Sequence, residues 1–114
     1  MAAGDVAVLA DLRADGMRFL AGTVILDGAN PTPIQLSTYI SSVLTGVVCL
    51  QGSAATGADP NQVTCLVNGT SLDVYAWKVT TGGAAGNPTE VASTDNARIV
   101  HWFAIGIDLP RKGS

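Results

Sequence analysis

The chain has 114 residues, of which 47% are hydrophobic and 13% charged, with a formal net charge of -3. This length predicts one domain with a single core, spanning residues 1–114. An average soluble domain has about 25% charged residues, so much of this surface must be neutral, which favours a subunit of an assembly over a free monomer. The six basic residues are scattered along the chain, which excludes the concentrated basic footprint of a nucleic-acid-binding protein.

The apolar segments of the chain are short. No uninterrupted apolar run is long enough to cross a bilayer, so the sequence predicts no membrane partner. The start, MAAGDVAVLADLR, lacks the positive charge and unbroken apolar stretch of a signal peptide, because Asp5 and Asp11 interrupt it. We therefore expect synthesis in the cytoplasm.

The first predicted element is a β-hairpin. Residues 6–13 alternate as a half-buried strand does, and Asp15-Gly16 offers a two-residue turn. Folding about this turn predicts a return strand from Met17 to Leu26. Its opposed pairs would be Leu12 with Phe19, Ala10 with Ala21, and Val8 with Thr23.

The segment after the hairpin changes character. Asn30-Pro31-Thr32-Pro33 predicts a loop, because proline cannot donate to a sheet ladder. In the following IQLSTYISSVL the apolar residues recur at helical spacing, which predicts one short helix ending at Gly46; an irregular strand edge is the alternative. Residues 46–51, GVVCLQ, predict an apolar strand that is covered on both faces.

The central feature is a second hairpin over Val63–Val79, with its turn at Asn68-Gly69. The predicted pairs are Val67 with Thr70, Cys65 with Leu72, and Val63 with Val74, which gives one nearly apolar face. The other face is mixed and suits solvent or a partner; it carries Gln62, Thr64, Leu66, Ser71, Asp73, Tyr75 and Trp77.

The remaining segments complete a mainly β fold. Small-residue stretches predict flexible loops near 52–61 and 80–89, and residues 109–114 predict a tail outside the core. The last strand, about 98–107, is apolar on both faces and belongs in the middle of a sheet. Six or seven strands and one short helix predict a compact antiparallel β-sandwich or barrel.

Cys49 and Cys65 are the two cysteines. If residues 46–51 pair antiparallel with residues 63–67, a symmetric register sets the two cysteines opposite each other. A cross-strand disulfide is then possible, but cytoplasmic synthesis favours two free thiols.

Candidate chemistry is sparse. His101 is the single histidine, its sequence neighbours are apolar, and it is better explained as a strand residue than as a ligand. The acidic residues are dispersed, and the glycine-rich loops lack the lysine and hydroxyl of a phosphate-binding loop. The sequence therefore predicts no enzyme, and no catalytic, metal, cofactor or small-molecule substrate site. Tyr75, Trp77 and Trp102 are the candidate protein-contact residues, with core packing as the alternative for each tryptophan.

The order of segments carries a family resemblance. GDVAVLADLR opens the chain, TVILDGANPTP ends the return strand, GVVCLQG follows, and STDNARIVHWFAIGI closes it. This order resembles the small virion structural proteins of tailed bacteriophages, of the capsid decoration or cement type. The resemblance implies a non-enzymatic protein on the capsid surface, which binds and stabilises the shell of major capsid protein and commonly forms trimers with copies of itself.

Two other functions stay open at this point. One is a tail or tail-adaptor subunit of the same class of phage. The other is a carbohydrate-binding β-sandwich module in which Tyr75, Trp77 or Trp102 stacks on a sugar. The low aromatic content of 5% disfavours the carbohydrate-binding module.

Overall fold

The computed structural model describes residues 3–51, 62–80, 89–94 and 97–110. These residues form eight strands and no helix. The strands are β1 (Val6–Ala14), β2 (Met17–Ile25), β3 (Thr32–Gln35), β4 (Ile40–Leu50), β5 (Gln62–Asn68), β6 (Ser71–Thr80), β7 (Thr89–Ala92) and β8 (Ile99–Asp108). Most of the two loops predicted near 52–61 and 80–89 lies outside the described residues, as do residues 111–114 of the predicted tail.

The strands form two antiparallel sheets, which confirms the prediction of a mainly β protein. Sheet A has the order β1-β2-β8-β4. Sheet B has the order β3-β6-β5, and β7 also pairs with β6. Trp77 of β6 is opposite Gln62 of β5 and also opposite Ala92 of β7, so β7 lies on the side of β6 that β3 uses.

Strand β8 is central in sheet A, as its apolar character on both faces predicted. It pairs with β2 along its whole length and with β4 on the other side. The prediction that residues 46–51 are covered on both faces is wrong. Residues 46–50 belong to β4 at the edge of sheet A, and the Val47 side chain is exposed.

The first hairpin has the predicted turn. Asp15 and Gly16 have φ values of 53° and 79°, which suit the type I′ turn that joins twisted antiparallel strands. The pairs Leu12–Phe19 and Ala10–Ala21 are as predicted, but a bulge between Val8 and Ala10 moves Val8 opposite Gly22 instead of Thr23. A Cβ atom on Gly22 would lie 1.8 Å from the carbonyl oxygen of Ala7, so only glycine fits beside this bulge.

The predicted helix is wrong, because residues 37–39 form a turn and β4 begins at Ile40. Two bulges in β4, between Ile40 and Ser42 and between Val43 and Thr45, explain the misleading pattern. Each bulge adds one residue, so the core-facing residues Ile40, Val43 and Gly46 are three apart instead of two. Two bulges in succession therefore imitate helical spacing within a strand.

The second hairpin has a different register from the predicted one. Its turn is Gly69-Thr70, with φ of 63° at Gly69, and Asn68 is opposite Ser71. Cys65 is consequently opposite Val74, and Val63 is opposite Ala76. The predicted and observed registers differ by two residues, so the same side chains of this hairpin stay on its core-facing side.

The predicted loop at residues 30–33 is partly a strand. Thr32 and Pro33 belong to β3, whose position at the outside of sheet B tolerates the missing donor of proline. The peptide bond between Asn30 and Pro31 is cis. The side-chain oxygen of Asn30 accepts a hydrogen bond from the backbone N–H of Ala76 (2.8 Å). The side-chain nitrogen of Asn30 donates a hydrogen bond to the backbone carbonyl oxygen of Ala76 (3.2 Å). This side chain therefore fills the ladder of β6 between β3 and β7.

One buried apolar cluster takes side chains from both sheets. Leu72 of sheet B reaches Gly46 of sheet A so closely that a Cβ there would lie 2.8 Å from a Leu72 methyl group. The cluster consists of Leu20, Val24, Leu26, Ile34, Leu36, Ile40, Val43, Leu72, Val74, Ala76, Val100, Trp102 and Ala104.

Candidate interaction surface

The outer face of sheet A is the main candidate surface. Side chains alternate along each strand, so the residues of β2 and β8 that do not face the buried cluster point to the opposite side of the sheet. The strand registers set these residues in rows across the four strands. We define the apolar face as Ala10, Leu12, Met17, Phe19, Ala21, Val47, Phe103, Ile105 and Ile107.

The apolar face is open to solvent and carries no charge. The exposed fraction is 63% for Val47, 62% for Leu12 and 38% for Phe103. The rows continue into Thr23, Thr45, His101 and Cys49, and they contain no acidic or basic residue apart from the imidazole. A shallow depression of about 170 Å³ lies between β4 and β8 on this part of the sheet. Such a surface suits contact with another apolar protein surface.

The charges of sheet A are gathered at one end, on the other side of the strands. Arg18 is buried and donates two hydrogen bonds to Asp11, at 2.8 and 2.6 Å, and one to the carbonyl oxygen of Tyr39 at 2.9 Å. Asp108 lies 3.6 Å from Arg18 and 3.4 Å from Arg13. This cluster fastens the turn end of the first hairpin to β8 and to the turn before β4.

The ion pair shifts the titration of both partners. Hydrogen bonding from Arg18 lowers the pKa of the Asp11 carboxyl, and the same bond raises the pKa of the Arg18 guanidinium. The partners of Arg18 are all supplied by the protein itself. The arrangement therefore explains stability and requires no ligand.

Trp102 is not available for protein contact. Its exposed fraction is 3%, and it packs in the buried cluster, because even-numbered residues of β8 face the core. Core packing, the alternative explanation, accounts for it. Its indole nitrogen has no hydrogen-bond partner among the described residues.

Tyr75 and Trp77 lie away from the apolar face, on sheet B. Both are half-buried, and their rings are nearly parallel, with centroids 6.2 Å apart and an angle of 13° between planes. The Trp77 indole donates a hydrogen bond to the Thr64 hydroxyl at 3.0 Å. The structure thus brings these two predicted contact residues together but separates them from Trp102.

The polar residues near the second turn are less open than the sequence predicted. Asp73 and Ser71 are buried, and the Ser71 hydroxyl donates to the Asp73 carboxylate at 2.6 Å. The Asn68 amide donates to the other carboxylate oxygen at 3.1 Å. These bonds brace the turn, so Asp73 has a structural role.

The two cysteines are free thiols and do not face each other. Cys49 is exposed in β4 opposite His101, whereas Cys65 is half-buried in β5 opposite Val74. The strand pairing that a cross-strand disulfide would require does not occur, because β4 pairs with β8 and β5 pairs with β6. Burial raises the pKa of the Cys65 thiol, whose sulfur lies 3.5 Å from the carbonyl oxygen of Gly46.

The described residues form neither a metal site nor a membrane-spanning helix. They contain no group of three or more histidine, cysteine or acidic residues placed to hold a metal ion. The described residues also contain no helix of at least 18 residues that is apolar enough to cross a membrane.

The sequence contained a partial signal for the apolar face. Strand β8 is apolar at odd and even positions alike, and only one set of positions can face the buried cluster. The rows across four strands were not predictable, because they require the pairing of β4 with β8.

No protein-family model, curated protein or solved structure matches this chain.

Proposed function

We propose that this chain is a non-enzymatic structural protein of a bacteriophage virion, most specifically a decoration or cement protein on the capsid surface. Its partners are the major capsid protein and copies of itself. The resemblance in the order of sequence segments suggests this class. The uncharged apolar face of sheet A is the structural observation on which the proposal depends.

The size of the apolar face suits a protein contact. Four strands about 4.8 Å apart and about five residues of about 3.3 Å each give a flat area on the order of 300 Å². A corrugated side-chain surface exceeds its flat area, so the face lies in the range of about 300–600 Å² that is typical of functional apolar patches, below the roughly 800 Å² per partner of an ordinary stable interface. Burying it would remove Val47, Leu12 and Phe103 from water.

We also propose that the two sheets pack against each other as a β-sandwich. The shared buried cluster and the approach of Leu72 to Gly46 support it. In that form the inner sides of both sheets make the core. The outer side of sheet A is then free for a neighbour in the shell.

Two alternatives predict different observations. A tail or tail-adaptor subunit would use the same face, and labelling the protein on intact particles would place it away from the capsid. The near-parallel rings of Tyr75 and Trp77 favour a carbohydrate-binding module as the second candidate. Sugar binding that disappears in Trp77→Ala, while the Phe103→Asp variant still binds, would establish that module instead.

The decisive experiment mixes purified protein with phage capsids that lack it. We expect the wild type to bind in high copy number and to raise the temperature at which the capsids rupture. The Val47→Asp, Phe103→Asp double variant should bind at least about tenfold more weakly, because the interface would bury unpaired charges. Leu66→Asp, a matched change at an exposed leucine of sheet B, should bind normally.

Two results of this experiment would contradict the proposal. One is a wild-type protein that does not bind the capsids. The other is a double variant that binds as tightly as the wild type. Circular dichroism and thermal unfolding of each variant must show the native fold, so that lost binding is not lost structure.

A further inference from the structure

The free edge of β1 has features of a pairing site. β1 is the outermost strand of sheet A, and in the described parts of the chain no strand pairs with the edge that faces away from β2. The bulge between Val8 and Ala10 interrupts its ladder, which leaves Ala10–Ala14 as the regular run. An exposed strand edge is a template for pairing with another strand.

The hairpin geometry determines which backbone groups face the free edge. Ala14 and Met17 flank the two-residue turn, so they exchange backbone hydrogen bonds, and so do Leu12 and Ala10 with their partners in β2. The alternate residues, Asp11 and Arg13, direct their N–H and C=O groups away from β2. These two residues supply the hydrogen-bonding groups of the edge.

Charge then selects one register for pairing with a second copy of the chain. An antiparallel pair about a two-fold axis can place Asp11 opposite Asp11, Arg13 opposite Arg13, or Asp11 opposite Arg13 of the second copy. The first two set like charges directly opposite each other, which destabilises a strand pair. Only the third sets opposite charges together, twice, and it places the two Leu12 residues on the axis.

We propose that two copies of this chain pair edge to edge through β1, in the register that sets Asp11 opposite Arg13 of the second copy. Four backbone hydrogen bonds join the copies, two for each of the opposed Asp11–Arg13 pairs. The two sheets A become one sheet of eight strands, and their apolar faces become one continuous surface. This contact uses the backbone edge of β1, whereas the capsid contact uses the side chains of the apolar face. It deepens the proposed function, because it specifies one register for the contact between copies of the chain.

The ion pairs already present are compatible with this contact. Asp11 keeps its bonds to Arg18, and half of the Arg13 side chain is exposed although it lies 3.4 Å from Asp108. Arg13 would then lie between Asp108 of its own chain and Asp11 of the second copy. Five paired residues make a small interface, below the roughly 1,200 Å² of stable complexes, so we expect weak association that becomes significant at high local concentration.

Disulfide trapping tests the register. We use Leu12→Cys in a chain that also carries Cys49→Ser and Cys65→Ala, so that no native thiol competes. Opposed residues of a non-hydrogen-bonded pair have Cα atoms about 4.5 Å apart, which permits a disulfide. Mild oxidation should convert most of the Leu12→Cys protein to a covalent dimer. Ala10→Cys, the matched control on the same side of β1, should give at most about a tenth as much, because it would lie opposite Ala14.

Charge reversal tests the pairing without a cross-link. Sedimentation of the wild type at rising concentration should show a dimer. Arg13→Asp should weaken the dimer about tenfold, whereas Arg13→Lys should have little effect. Phe103→Asp should leave the dimer intact, because it alters only the apolar face.

Several outcomes would overturn the inference. These are a monomer at every concentration, equal cross-linking of the Leu12 and Ala10 cysteine variants, and a dimer or trimer that Arg13→Asp leaves unchanged. Association lost in Phe103→Asp but retained in Arg13→Asp would assign self-contact to the apolar face instead. Capsid binding by Arg13→Asp separates this result from a failure of the proposed function, because that binding depends on the apolar face.

Discussion

Individual side chains supply hydrogen bonds that the backbone strands do not make among themselves. Arg18 is buried, and its guanidinium donates hydrogen bonds to Asp11 and to the carbonyl oxygen of Tyr39. Asn30 bonds to the backbone of Ala76 and so continues the hydrogen-bond ladder of β6. A buried donor or acceptor without a partner costs about 1–3 kcal/mol. These polar residues therefore stabilise the fold through the bonds that they complete.

The Asp11–Arg18 pair predicts a dependence of stability on pH. The pKa of Asp11 is lowered in the folded protein, so its contribution is present above the unfolded-state pKa of about 3.9 and is lost as pH falls through the folded-state pKa. About a third of the Asp11 side chain is exposed, so solvent screening limits this contribution to roughly 1 kcal/mol.

Urea unfolding at several pH values measures this contribution. Asp11→Asn should be less stable than the wild type at pH 7, and the difference should shrink as the pH falls toward 2. Asp15→Asn is the control at an exposed carboxylate in the turn of the same hairpin. A constant difference between Asp11→Asn and wild type from pH 7 to pH 2 would refute the assignment.

The elements of this fold differ in how far sequence predicts them. The first hairpin and the central place of β8 were predictable, because turn residues and apolar alternation act locally. Strand β4 was not, because its bulges change the spacing of core residues, and a bulge is defined by the partner strand. The second hairpin was predicted with the correct faces and the wrong register, since a shift of two residues preserves the faces.

The candidate surface was predictable only in part for the same reason. The low charge indicated neutral surface, but the apolar face exists because β1, β2, β8 and β4 align their rows. Trp102 was named as a contact because of its residue type. Its position in β8 instead directs it to the core, which only the register with β2 and β4 reveals.

The bulge in β1 gives a prediction at the level of the hairpin. Gly22→Ala should destabilise the protein by at least about 2 kcal/mol, because the new methyl group meets the backbone oxygen of Ala7 and the strand must move. Gly69→Ala has open space around it and only a positive φ, so we expect a loss of about 1 kcal/mol. Chemical denaturation of both variants checks the order, and a Gly22→Ala protein as stable as Gly69→Ala would contradict it.

At the scale of the whole molecule, the two sheets share one core. Leu72 is fully buried in sheet B and reaches sheet A at Gly46. Removal of a side chain at this junction should weaken both sheets together. The described strands should therefore unfold as one cooperative unit.

Leu72→Ala tests this cooperativity. We expect a loss of about 2–5 kcal/mol in the free energy of unfolding, with one transition seen by both circular dichroism and tryptophan fluorescence. Leu66→Ala, at a leucine that is 58% exposed on the neighbouring strand, should change stability by less than about 0.5 kcal/mol. Two separate transitions in the wild type would show that the sheets unfold independently.

The buried indole of Trp102, whose nitrogen finds no acceptor in the described part of the chain, has a consequence for thermostability. A buried polar hydrogen that has no acceptor costs about 1–3 kcal/mol of stability. An aromatic side chain lacking that hydrogen would keep most of the volume and remove the penalty. The smaller ring would also leave a cavity whose cost opposes that gain, so the melting temperature of Trp102→Phe measures which of the two costs is larger.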